Sequence, residues 1–207
     1  MPVNSTHPDY DANAFDWSRA RDVLSGEDAV KAAGEKYLPR LDLQSDDEFV
    51  SYRKRAAFFN ATGRSAEGFI GLIFRRPPFV KVPEVRAGLA GAGVGRALAG
   101  FVNEADMLGT TLAGYAKSVV SEVVGIGRAG SLVDWEGDIE KRAYVSLYSA
   151  EQIINGRVER VNGPNVPTLV VLSENVARFM AGCLVASFML AISRSASLRS
   201  LVWRSFV

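Results

Sequence analysis

The apolar residues of this chain fall mostly at helical spacing in its segments as far as Ile126 and in strand-like runs from Leu132 to Glu174, and that switch limits the possible folds more sharply than anything else in it. Apolar positions three and four apart form one stripe along a helix, whereas positions two apart form one face of a strand. The clearest helix is SDDEFVSYRKRAAFFN (45–60). Ser45 with Glu48 three residues on is a capping box, Asp46 and Asp47 suit the positive end of the helix dipole, and Phe49, Tyr52, Ala56 and Phe59 make the stripe. Arg53, Lys54 and Arg55 then read as a solvated face rather than a nucleic-acid patch. A second helix is expected over Arg64–Phe74 with Ala66, Phe69, Ile70 and Ile73 inward, stopped by Pro77 and Pro78. A third begins after the capping residues Thr110 and Thr111, with Leu112, Tyr115, Ala116, Val119, Val123 and Ile126 on its apolar face.

Earlier segments are weaker. Pro2, Pro8, Asp9 and Asp11 mark residues 1–15 as a polar arm, and Asp16 is placed to cap a short helix through Leu24. Residues 25–41 are mixed, and Pro39 ends any helix there before Leu38. Past Gly127 the pattern becomes β. SLVDW (131–135) reads as a strand, Glu136–Arg142 as a charged loop and AYVSLYSAEQIIN (143–155) as a second strand; RVERV and TLVVLSE flank the turn NGPN (162–165) as a hairpin. Helices first and a small, mostly antiparallel sheet after is an α+β order.

Composition narrows the function classes. Hydrophobic residues are 48% and charged residues 23% of 207, so neither a disordered chain nor a polytopic membrane protein is expected. The formal net charge of +1 gives no basic excess for wrapping nucleic acid. A lone cysteine, Cys183, cannot close an intrachain disulfide, and with the lone histidine, His7, it leaves too few soft ligands for a structural zinc site. The first 20 residues lack the apolar stretch and basic start of a secretory signal, so a cytoplasmic chain of one compact body is expected.

No motif carries chemistry. His7 falls in the polar arm, away from any nucleophile, and Cys183 lies in an apolar run where a thiol behaves as a small hydrophobe. Asp134, Glu136 and Asp138 are spaced by two, but Gly137 splits the set in the wrong place for a calcium loop. Gly91, Gly93 and Gly95 evoke a dinucleotide loop, yet Arg96 stands where its third glycine belongs and no strand precedes it. The expectation is therefore no catalytic, cofactor-binding or metal-binding residue, no cofactor and no enzyme.

Four stretches together resemble a family of tailed-phage portal or portal-like proteins built on an uncharacterised domain: GEDAVKAAGEKYLPRL (26–41), RAAFFNATGRSAEGFIGLIFRRPP (55–78), DMLGTTLAGYAKSVVSEVVGIGRAGSLVDW (106–135) and AEQIIN (150–155). The resemblance covers roughly residues 5–175. It implies a bacteriophage structural protein of virion assembly and DNA packaging: a homo-oligomeric ring at one capsid vertex, wing-like in this region. Terminase and capsid proteins would be its partners, and double-stranded DNA would pass through without sequence-specific binding. It further implies residence in the host cytoplasm during assembly and then in the virion. The chain departs from that pattern at Gly156, where the family continues with an aromatic residue. It departs again after position 175, where stem and clip segments would stand, so DNA-channel and motor-docking residues are not carried over.

Beyond Glu174 the chain differs in kind. From Asn175 to Val207 there are four arginines, no lysine and no acid, while the body through Glu174 holds 20 basic and 23 acidic residues. At the chain's own acid frequency, such a run arises by chance about 2% of the time. Residues 176–207 therefore form an atypical tail with three readings. Phe179–Ile192 is too short by several residues for a membrane span, which needs about 20. A C-terminal apolar helix would set Phe179, Leu184, Phe188 and Ile192 against a neighbouring subunit. A reading-frame shift after Glu174 would make the chain a truncated, prophage-type remnant. The competing function is a small membrane-associated phage protein using this cationic, apolar tail.

Overall fold

A computed structural model describes residues 4–80, 98–136, 141–160, 165–174, 178–180, 183–185 and 188–193. The helices are α1 (Pro8–Ser25), α2 (Glu27–Ala32), α3 (Asp46–Arg55), α4 (Ala61–Ile73), α5 (residues 98–103) and α6 (Leu112–Ile126). The strands are β1 (Ala129–Glu136), β2 (Arg142–Ser149), β3 (Ile153–Arg160), β4 (Asn165–Glu174), β5 (Arg178–Met180), β6 (Cys183–Val185) and β7 (Phe188–Ser193). Helices thus precede small antiparallel sheets, and the α+β order holds. The chain groups into two compact bodies. Ser18–Leu147 forms one body, and Met1–Trp17 joins Tyr148–Val207 in the other.

Within the Ser18–Leu147 body, β1 pairs with β2. The five residues between them are too few for a parallel crossover, which takes a dozen or more. Ala105, Tyr115 and Val145 form the buried centre, with Phe101, Leu112, Val119 and Leu147 packed around it. The helix ends obey local chemistry. Ser45 and Glu48 form the expected capping box on α3, the Asn60 side chain accepts from the Gly63 amide on α4, and the Thr111 hydroxyl accepts from the Gly114 amide on α6. Gly127 closes α6 at φ 91°, a left-handed conformation that glycine adopts without steric cost.

Several boundaries differ from expectation. α3 stops at Arg55 because Ala56 is extended (ψ 126°), which removes Ala56 and Phe59 from its stripe and leaves Phe49 as its buried residue. Asn60 supplies the reason: it starts a new helix, so the chain must turn between the two. α4 packs against α6. Gly63 is buried and Ala66 and Ile70 half-buried, whereas Phe69 and Ile73, expected inward, are exposed. Val123 of α6 is likewise exposed; nearby, a Cβ on Gly125 would sit 2.8 Å from Leu24 Cδ1, so α1 approaches α6 at a position without a side chain. Arg21 of α1 spans the same approach with a two-pronged pair to Glu122 (2.9 and 3.2 Å).

The other body holds the antiparallel sheet β3–β4–β7. The hairpin expected across 162–165 is present as β3–β4 pairing, from Ile153↔Leu172 to Arg160↔Asn165, with Asn165 already in its strand. The long second strand expected over 143–155 is two strands. Ser149 and Gln152 form a capping box that turns 150–152 into a single 3₁₀ turn between β2 and β3. α1 starts at Pro8, eight residues ahead of the expected cap at Asp16, because Pro fits a first helical turn where its missing N–H is not needed. The residues before it are tied down: the His7 amide donates to the Ile154 carbonyl (2.9 Å), the Asn155 amide group to the Ser5 carbonyl (2.7 Å), and the Tyr10 hydroxyl to the Glu151 carbonyl (3.2 Å). The C-terminal apolar helix expected in the tail lies largely outside the described residues. β7 pairs with β4 from Leu169↔Ser193 to Glu174↔Phe188, and β5 pairs with β6. The rest of the tail lies outside the described residues.

Candidate interaction surface

The residues singled out for chemistry stand apart from one another. His7 Nδ1 accepts from the Asp9 amide (3.2 Å), a local turn at the start of α1. Asp134 accepts from its neighbour Trp135 N–H (2.7 Å) and from the Tyr144 hydroxyl (3.2 Å), and Glu136 accepts from the Lys141 amide (3.0 Å). Both carboxylates thus serve the β1–β2 pair. Asp138 and the glycines at 91, 93 and 95 lie outside the described residues. Cys183 contributes its backbone to the β5–β6 ladder, opposite Met180. Among the described residues no three His, Cys, Asp or Glu side chains gather as metal ligands.

The most heavily bonded polar cluster is the turn DMLGT (106–110). Asp106 Oδ1 accepts from the Leu108 amide (2.9 Å) and the Thr110 amide (3.0 Å), the Ala105 amide donates to the Thr110 carbonyl (2.8 Å), and the Val145 amide donates to the Ala105 carbonyl (2.9 Å). Burial opposes ionisation of Asp106, but the donors at Thr110 and Leu108 together outweigh it and hold the carboxyl below its ordinary value. Gly109 sits at φ 86°. Arg142 on β2 reaches back to both the Glu104 carbonyl and its carboxylate (3.1 Å each). The backbone donors named here each have an internal acceptor, and Arg142 Nη2, buried and without a hydrogen-bond acceptor, is ion-paired with Glu104, so the cluster clasps α5, α6 and β2.

Part of what the Ser18–Leu147 body presents outward is apolar. On α4, Phe69, Leu72 and Ile73 are 59%, 69% and 54% exposed and lie three and four residues apart, on one face. Beyond the helix end, Phe79 is 90% exposed, and Arg75 and Arg76 accompany it. A second feature is an open groove of about 630 Å³ lined by Leu41, Leu43, Gln44, Asp47, Glu48, Ser51 and Arg55. Its wall is built by local chemistry. Pro39 breaks the chain, the Arg40 guanidinium gathers the Gln44 carbonyl (2.7 and 3.0 Å) and Asp46 (2.6 Å), and the capping box fixes the first turn of α3. The Ser45 amide and hydroxyl, donating to Glu48, hold that carboxyl below its ordinary value, so it stays ionised on the groove wall. Leu43 on the rim is almost fully exposed.

Periodicity counted the apolar positions of α4 as inward. The signal that would have separated them is their number: Ala66, Phe69, Ile70, Leu72 and Ile73 cover more than one stripe, so part of the helix must face away from its own core. The groove carries no sequence motif. Compared with protein-family models and with curated proteins, the chain matches none.

Proposed function

We propose that this chain is a structural subunit that works by associating with copies of itself, a portal-like component of a tailed-phage head rather than an enzyme. In that role it forms a ring in the host cytoplasm and is carried into the virion, with terminase and capsid proteins as neighbours and double-stranded DNA passing through. The observation that carries the reading is the exposed apolar face of α4, Phe69, Leu72 and Ile73, with Phe79 also exposed beyond the helix end. Contiguous large apolar side chains left in water mark surfaces that another protein covers, and burying each is worth roughly 1.5–3 kcal/mol. The resemblance of residues 5–175 to portal-like proteins supplies the biological setting. No described helix is long and apolar enough to cross a membrane.

Light scattering and negative-stain microscopy on the full chain test this. Mass rising with concentration into closed rings is expected; a single monomeric mass across the micromolar range would remove the proposal.

A further inference from the structure

Building on the self-association reading, we infer that neighbouring copies meet head to tail: the end of α4 on one copy seats in the Leu41–Arg55 groove of the next. The occupant is a second copy because the two surfaces complement each other and neither complements itself. The α4 end joins Leu72, Ile73 and Phe79 to Arg75 and Arg76, and these two arginines make no ion pair among the described residues. The groove joins Leu41 and Leu43 to Asp47 and Glu48, with Asp42 beside it; Asp42 and Asp47 likewise make no ion pair among the described residues. Arg55 lies in the groove too, its Nε on the Ser51 carbonyl (3.3 Å), and Arg40 is taken up by Asp46.

The charged residues that line the groove, Asp47 and Glu48 against Arg55, are net negative, although over residues 40–55 as a whole Arg40, Arg53, Lys54 and Arg55 balance Asp42, Asp46, Asp47 and Glu48. Those of the α4 stretch, Arg64, Arg75 and Arg76 against Glu67, are net positive. Like charges set face to face are repulsive, so α4 end on α4 end and groove on groove are both disfavoured, while α4 end in groove is favoured. Apolar contact supplies the attraction, and the charges fix which surface meets which. A contact between two different patches repeats from copy to copy and closes into a ring when the rotation allows.

Charge reversal tests it on the full chain. One variant carries Arg75→Glu with Arg76→Glu; the other carries Asp42→Lys with Asp47→Lys. All four positions are exposed, so circular dichroism should match the parent. Each variant alone should associate at least tenfold more weakly than the parent in sedimentation. An equimolar mixture should regain the parent's mass, because the glutamates of one variant face the lysines of the other and the remaining contacts keep their native charges. If the parent assembles and the separate variants assemble equally well, this contact is wrong while self-association stands. If both variants are weakened but the mixture does not recover, the head-to-tail pairing is wrong. If the parent is monomeric, both readings fall. Should a reversed chain lose its fold, Arg76→Gln and Asp47→Asn replace the pairs: each should weaken association without rescue on mixing, and either one leaving it unchanged overturns the contact.

Discussion

Asp106 shows how much one side chain can organise. Its carboxylate replaces the backbone partners that the Leu108 and Thr110 amides would otherwise lack, and the turn it closes presents the Ala105 carbonyl to β2. Asp106→Ala should cost about 1–3 kcal/mol, the penalty of donors left without an acceptor, measured as a fall in unfolding free energy in urea. The pH dependence has a definite sign. Because the folded carboxyl is held below its ordinary value of 3.8, its contribution is complete above that value and is lost as pH falls through the lower, folded one. The stability gap between the parent and Asp106→Asn should therefore be constant at neutral pH and narrow below about pH 3.8; a gap that widens on acidification would contradict this. Asp22 shifts in the same direction, through hydrogen bonds first from Lys36 (2.8 Å) and then from the Tyr37 hydroxyl (2.6 Å). Ser45 is a second test: its replacement by alanine removes the hydroxyl that caps α3 and should cost about 0.5–2 kcal/mol.

At the scale of elements, the capped helix ends were legible because capping is a dialogue between residues three apart. Ser45–Glu48, Thr111 and Gly127 all act within one turn of their own helix. The N-terminal segment was not legible. Residues 1–15 read as a polar arm because nothing nearby in sequence holds them, yet Ser5, His7 and Tyr10 bond to residues 151–155, more than a hundred positions away. Asn155→Ala should release that segment without unfolding the sheet, since the side chain's bond is to Ser5 and its backbone remains in β3. Amide exchange at His7 should then speed up while amides along β3–β4 keep their protection; equal acceleration in both would show that Asn155 supports the whole body instead. The break between β2 and β3 was missed for a related reason. Ser149 and Gln152 have capping-box spacing, but it interrupts a run whose alternation continues on both sides.

For the whole molecule, the decisive property is where apolar surface is left over. α4 turns Ala66 and Ile70 toward its own body and Phe69, Leu72 and Ile73 away from it. Phe69→Ser with Leu72→Ser should leave the monomer's thermal transition within about 0.5 kcal/mol, as surface changes do. Association should weaken by about 2 kcal/mol or more, roughly thirtyfold or greater, because those side chains would no longer leave water on assembly. Sedimentation over a concentration series reads the second effect and calorimetry the first. A large drop in thermal stability with unchanged association would place these residues in a core, not at a contact.

The order of helices and strands, the caps that open α3 and α6 and the β3–β4 hairpin were already written into the amino-acid order, because each depends on residues close together along the chain. Packing settled the rest: which apolar face of α4 meets α6 and that the first residues are fastened to β3. Those outcomes depend on partners far away in sequence. Periodicity can say that a face is apolar, but only the packed chain determines whether enough of the protein remains to cover it.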